Sequence, residues 1–495
     1  MELNKRSNDN PEDVEPLVGQ GSPIHMARVW SGTRDMDIEE ARGQIMLALP
    51  MVLTNVFYYL IPLVSVMFVG HLGELELASS TLANSWATVS GFAFMLGLSG
   101  ALETLCGQGY GAQLYNMMGI YLQASCAISF LFSILISILW WYTEPILISL
   151  DQRPDISKQA STYMRYLIPG IFAYGTLQNI LRFLQTQSVV LPLVICSLIP
   201  LLLHIILAYL LVHCTSLGYK GAPLATSIAF WIAIGMLMMY MRSAKNLERT
   251  WTGFSRKALS YCHVSTNLKL ALPSAGMVCL EYWAFEILVF MAGLMPNSET
   301  STSLIAICVN TEAIAYTFTY GLSAAASTRV ANELGATRPS KAKHAMGVTL
   351  KLSVVLTTSL LLAFGFGHSL WARSFSSEPD IIKAFASMAP FVCVSIFLDS
   401  IQGILSGVSR GCGWQHLTMF INLGTFYGIG MPIAWLLAFK FKLYAKGLWI
   451  GLICGLSSQC GTLFVVTCLK KWIAVDFSTH EGEPLPTRSS YIGST

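Results

Sequence analysis

The chain has 495 residues, of which 54% are hydrophobic and 12% charged, with a formal net charge of +3 and a mean hydropathy of +0.57. So few charges cannot cover two or three water-facing domains, which excludes an ordinary soluble protein, and the near-balanced charge gives no pointer to nucleic acid, which is not expected as a partner. The unit to count is therefore the bilayer span of about 20 apolar residues.

The first 43 residues are polar, with Lys5, Arg6, Glu12, Asp13, Glu15 and the run DMDIEEAR at 35–42, and read as a tail rather than a cleavable signal peptide. The acidic EDVEPL at 12–17 is compatible with vacuolar sorting. Twelve spans follow, at 44–70, 78–102, 117–141, 164–184, 188–214, 222–242, 267–294, 302–326, 344–368, 384–408, 417–440 and 446–470. Arg165 and Arg182 bracket the fourth, where they are expected to snorkel to the headgroups. With the amino terminus in the cytosol, the cytosolic segments hold 21 of the 30 lysines and arginines, so both termini are expected there.

A repeat divides the spans. GLSGALETLCGQGYGA at 97–112 matches GLSAAASTRVANELGA at 321–336 at seven of sixteen positions, and LALP occurs at 47–50 and 270–273, a period of about 224. Six spans per repeat is an even number, so two lobes enter the bilayer in the same sense around an axis along its normal, with a cleft between them. The expected organisation is a tail at 1–43, a first lobe at 44–242, a cytosolic loop at 243–266, a second lobe at 267–472 and a cytosolic tail at 473–495. The small residues of GLSGA and GLSAAAS suit close helix packing.

Two glutamates interrupt the apolar run that contains CLEYWAFE at 279–286. Glu281 lies eight residues past Pro273, ~12 Å further along a helix and near the bilayer middle. Asp399 is similarly central to the tenth span. An ionised carboxylate there costs at least ~2.5 kcal/mol and is functional by default, which makes both candidates for reversible protonation. Glu286, five residues past Glu281, points roughly 140° away around the helix. The repeat sets Glu281 against Tyr58, Glu286 against Leu63, Glu312 against Thr88 and Asp399 against Gln178, so the charge chemistry is assigned to the second lobe. For Glu286 and Glu312 a structural and a functional role stay equally open. His204 reads as a neutral, hydrogen-bonded buried histidine. The twelve cysteines read as small buried hydrophobes, with no CxxC and no metal-ligand spacing. No metal, cofactor or GxxxxGK[ST] nucleotide loop is expected.

Several motifs together, MFVGHLGELELASSTLANSW at 67–86, ALETLCGQGYGAQ at 101–113, CLEYWAFE, AASTRVANELGA and FLDSIQGILSGVSRGCGWQ at 397–415, resemble the plant branch of the multidrug and toxic compound extrusion family over nearly all of 40–475. The resemblance implies an all-α integral membrane protein of twelve helices, with two six-helix lobes forming a V, that exports organic solutes in exchange for protons. It places the proton and substrate acids at Glu281 and Asp399. By the same analogy and helical phase, Asn310, Tyr316, Gln402, Tyr282 and Glu312 line the cavity. Unlike prokaryotic members, the first span carries no aspartate.

The working expectation is a monomeric secondary transporter, not an enzyme, in the vacuolar or plasma membrane. Its partners would be a small organic substrate, protons and the lipid bilayer. The rivals are a lipid flippase of similar architecture, a passive channel and a membrane-embedded transferase; dispersed, deep acids speak against the last.

Overall fold

A chain inside a bilayer must satisfy its own backbone, and an apolar run does so by becoming a helix. In a computed structural model, which describes residues 23–296, 298–375 and 378–475, these runs form twelve long helices and no strand occurs among the described residues. In the first lobe they are α1 Pro23–Gly70, α2 Glu74–Gly111, α3 Tyr115–Trp141, α4 Pro154–Thr186, α5 Leu191–Cys214 and α6 Gly221–Ser243. In the second they are α7 Tyr261–Gly293, α8 Ser298–Gly335, α9 Pro339–Phe375, α10 Pro379–Cys412, α11 Gln415–Lys440 and α12 Tyr444–Leu469. Ten meet a strict length-and-apolarity criterion for spanning; α4 and α8, which carry Arg165, Arg182, Glu312 and Arg329, complete the twelve. Each helix overlies its expected span, but α4 begins at 154 rather than 164, α2 and α8 run on to 111 and 335 rather than 102 and 326, and α1 begins well before residue 44. Its extension is held by the second lobe, through Arg329 to Glu40 (2.9 and 2.7 Å) and Lys351 to Asp37 (2.8 Å). Burial alone would raise the Glu40 carboxyl, but hydrogen bonds from Arg329 and Gln44 outweigh it and hold the group below its usual range. EDVEPL lies outside the described residues.

The repeat is visible in the turns. Gln113 after α2 and Thr337 after α8 both sit in the left-handed region (φ 62° and 60°), as do Ser188 after α4 (60°) and Gly413 after α10 (78°). Such a residue stops a helix and turns the chain within a few residues. The bundle end that holds these four turns, together with the 244–260 loop, is called the inner end below.

The lobes meet at the inner end along backbone. A Cβ on Gly111 would collide with the carbonyl oxygen of Asn332, and one on Gly335 with that of Gln108. A Cβ on Gly97 would strike the Cα of Ala275, and one on Gly321 would meet Val52 and the Ala48 carbonyl. Each pair repeats the other at the period of the sequence, so the same contact is made twice about the pseudo-two-fold axis. Polar bonds cross the same seam: Gln108 Nε2 donates to Gly411 O (2.9 Å), Gln185 Nε2 to Ala324 O (3.1 Å) and Asn332 Nδ2 to Thr186 O (3.2 Å). One apolar core fills the first lobe and continues across this seam, and a second, including Leu288, Ile305, Phe385 and Trp449, fills the outer half of the second lobe.

Three charges are buried in the seam. Glu103 on α2 is 1% exposed, Arg182 on α4 3% and Arg410 on α10 6%. Arg410 Nε donates to Glu103 Oε2 (3.0 Å), Ser327 Oγ donates to the same oxygen (2.5 Å), and Arg182 Nε lies 3.3 Å from Glu103 Oε1. Arg182 and Arg410 therefore do not snorkel to headgroups or belong to solvated turns, as counting from the sequence had them. A carboxylate in a neighbouring helix draws both inward. Arg165 is exposed and stacks on Trp141 at 4.9 Å, as expected of a membrane-edge arginine.

A candidate coupling and substrate site in the second lobe

Outward of the seam, α7, α8 and α10 bring three carboxyls together. Pro273 in α7 and Pro390 in α10 lie in the first half of their helices and leave the stretches with Glu281 and Asp399 regular. Asp399 is 4% and Glu312 3% exposed, whereas Glu281 is half-buried. Asp399 lies within electrostatic reach of both Glu281 and Glu312. Glu312 Oε2 accepts from the Ser395 hydroxyl (2.7 Å), which accepts from Trp449 Nε1 (3.1 Å). Glu312 Oε1 and Asp399 Oδ1 are buried without a hydrogen-bond partner. No ion pair among the described residues includes any of the three.

Gln402, fully buried one turn from Asp399, donates from Nε2 to Ser406 Oγ (2.9 Å) and reaches Glu281. Tyr316 lies near Glu281 and Asp399. Tyr282, beside Glu281, lies within electrostatic reach of Tyr59 of α1 and Tyr174 of α4, so phenols of both lobes come near the carboxyl group. Among the described residues no set of three His, Cys, Asp or Glu side chains is disposed to hold a metal ion.

Of the residues singled out by sequence, the structure gathers Glu281, Asp399, Glu312, Gln402, Tyr316 and Tyr282. Asn310 is exposed and donates its amide to Ala306 O (2.9 Å). Glu286 is exposed, turned from Glu281 as its helical phase requires. His204 is buried in the first lobe, its Nε2 3.1 Å from Ser65 Oγ, in keeping with a neutral histidine. Sequence reasoning missed Tyr59 and Tyr174, which carry no signal in an apolar span. It also missed Glu103, whose signal was available as a lone acid inside ALETL.

Two lobes of six helices meeting at one end, with three carboxyls gathered inside one lobe, are the architecture of a membrane transporter. The MatE family profile matches residues 50–210 and 273–436. The chain is 59% identical to Protein DETOXIFICATION 18 of Arabidopsis thaliana over 444 residues, 90% of this chain and 94% of that protein. It is 42% identical to Protein DETOXIFICATION 16 of the same plant over 461 residues, 92% and 91% of the two chains. The crystal structure of the eukaryotic MATE transporter AtDTX14 superposes with a TM-score of 0.85 at 36% identity, covering 88% of this chain and 97% of that one. The chain belongs to the MATE family of transporters.

Proposed function

We propose that the protein is a proton-coupled antiporter that exports organic solutes from the cytosol, with protons taken up at Glu281 and Asp399. The observation that carries this reading is the pair of orphaned buried oxygens, Asp399 Oδ1 and Glu312 Oε1, in a carboxyl group that makes no direct ion pair among the described residues. A dry carboxyl without a partner is stabilised by a proton or by a cationic ligand, and an exchanger alternates the two. The phenols Tyr59, Tyr174, Tyr282 and Tyr316 add aromatic faces suited to a cationic or amphipathic aromatic solute. The name of the Arabidopsis relatives, detoxification, accords with xenobiotics or secondary metabolites as cargo. Each pH unit supplies about 1.4 kcal/mol per proton and 100 mV roughly 2.3 kcal/mol per charge moved, so no ATP is needed.

The test is uptake of a fluorescent organic cation into proteoliposomes across an imposed pH step. Accumulation that needs the pH step and collapses with a protonophore supports the antiporter. Equilibration indifferent to pH, or flux of channel magnitude, rejects it.

The unequal lobes give a second expectation. Asp399→Asn should lose pH-driven accumulation, because two interacting carboxyls titrate as one unit. Tyr58→Phe should cost only about 1 kcal/mol of stability, since Tyr58 spends its hydroxyl on the Cys196 carbonyl (3.2 Å). Gln178→Ala, which removes no titrating group, should likewise retain coupled uptake. Equal losses in all three at matched membrane expression would move the proton site out of the second lobe.

Basic-residue placement puts the inner end and both termini in the cytosol, of a cell or facing a vacuole. A tag inserted in the 243–266 loop should react only from the cytosolic side of sealed vesicles, and one at residue 297 only from the other. Reactivity of both from one side would overturn the topology.

A further inference from the structure

The seam that closes the inner end holds three charges where an apolar contact would hold it more firmly. Desolvating Glu103, Arg182 and Arg410 is costly, and well-packed hydrophobic residues in place of a buried ion pair are often more stabilising. The advantage of charge lies in the open state. Once the lobes part, water hydrates all three groups and returns the cost of drying them, whereas an exposed apolar surface gains nothing. A charged seam is therefore one that can open.

The charges also do not balance. Two guanidiniums meet one carboxylate, and Ser327, the repeat's counterpart of Glu103, contributes only a hydroxyl. The next carboxyl acting on Arg410 is Glu281 on α7. The other titratable groups around the knot are Tyr174, Tyr316 and Tyr320, phenols that are uncharged in the physiological range, with Tyr282 and Asp399 beyond Glu281. With Glu281 ionised, the four charged groups sum to zero. With Glu281 protonated, the closed seam keeps an uncompensated positive charge.

We propose that Glu103, Arg182 and Arg410 form the inner gate of the transport cycle, and that Arg410, acted on by both Glu103 and Glu281, makes this gate open when Glu281 takes up a proton. The second half rests on the proton-coupled reading above; the first does not. Arg410 and Glu103 act here as positioning residues of the cycle. The proton that enters from the acidic side releases the gate through which it leaves, and an ionised, empty site holds the gate shut against an uncoupled return.

The test reads the distance between the lobes, without substrate. Bio-orthogonal donor and acceptor dyes at Lys245 and Lys341, both exposed at the inner end, report single-molecule energy transfer in nanodiscs from pH 5 to 8. In the wild type the open fraction should rise on acidification. Glu103→Gln should raise the open-to-closed ratio at pH 8 at least about tenfold, and Glu103→Asp should restore it. Glu281→Gln should be open across the whole range. Arg410→Gln should open the gate and remove its pH response. Should Glu103→Gln melt early, Ser327→Ala, which withdraws one hydrogen bond and leaves the charges paired, must itself raise the open fraction. A Glu103→Gln protein that melts like wild type and stays closed overturns the gate, as does an unchanged Ser327→Ala distribution. Opening by Glu103→Gln with no pH response in the wild type, or a pH response that survives Glu281→Gln, overturns the coupling. Failure of proton-driven uptake in liposomes with these distances behaving as stated would fault the transport reading instead.

Discussion

Glu281→Gln should reduce accumulation of an organic cation from the level the gradient allows to simple equilibration. A step of two pH units supplies about 2.8 kcal/mol per proton, enough for roughly 100-fold accumulation with one proton per solute. The glutamine keeps the size of the side chain and its capacity to meet Gln402, but it cannot titrate, so the expected ratio for the variant is about 1. Substrate binding measured from pH 5 to 8 should lose most of its pH dependence at the same time. Glu281 is half-buried whereas Asp399 and Glu312 are buried, so solvent and solute reach it most readily of the three. Concentration of substrate at the wild-type rate by Glu281→Gln would make this acid structural and remove the basis for the antiporter.

Gly335→Ala should cost at least about tenfold in exchange rate, although it adds one methyl group. Its Cβ lands on the Gln108 carbonyl oxygen, with the Gln108 carbonyl carbon at 2.7 Å and Cα at 2.8 Å. Overpacking against a side chain typically costs 1–3 kcal/mol because the side chain can give way; backbone of a packed helix cannot. The strain exists only while the inner end is closed, so the closed state is penalised and the cycle stalls open at that end. Gly111→Ala, facing Asn332, should behave alike. Gly347→Ala in α9 meets nothing within 4 Å and should be neutral or stabilising by up to about 1 kcal/mol. Initial exchange rates normalised to inserted protein decide the matter, and wild-type exchange by both Gly335→Ala and Gly111→Ala would mean that closure does not require this contact.

The twelve spans, the two lobes and the second-lobe acids were legible from composition and from the repeat, because an intramembrane carboxylate stands out against hydrocarbon. Helical phase alone separated Glu286 from Glu281. What stayed hidden were properties that belong to pairs of helices. Arg182 read as a charge at a span end, where snorkelling is the ordinary outcome, Glu103 passed unnoticed, and only packing of α2, α4 and α10 makes them one group with Arg410. Tyr59 and Tyr174 are ordinary aromatic residues until α7 brings Tyr282 near them. Asn310, placed by phase with the cavity, is exposed and donates its amide to the carbonyl one turn earlier in its own helix, a bond that sequence spacing allows but does not dictate. The early start of α1 reflects Arg329 and Lys351 of the second lobe, which hold Glu40 and Asp37 against the bundle.

The paired glycine contacts have a consequence for assembly. A surface in which Gly111 meets Asn332 while Gly335 meets Gln108 is self-complementary, the property that lets two identical subunits dimerise. Each six-helix half thus carries a patch fitted to the other half as a partner, and the covalent loop between them sets proximity rather than register. Halves made as separate chains, divided in the 243–266 loop, would find the same mutual arrangement. Two copies of the second half would meet in the same geometry but with Ser327 in place of the glutamate, and so would join without the anion that draws the arginines inward.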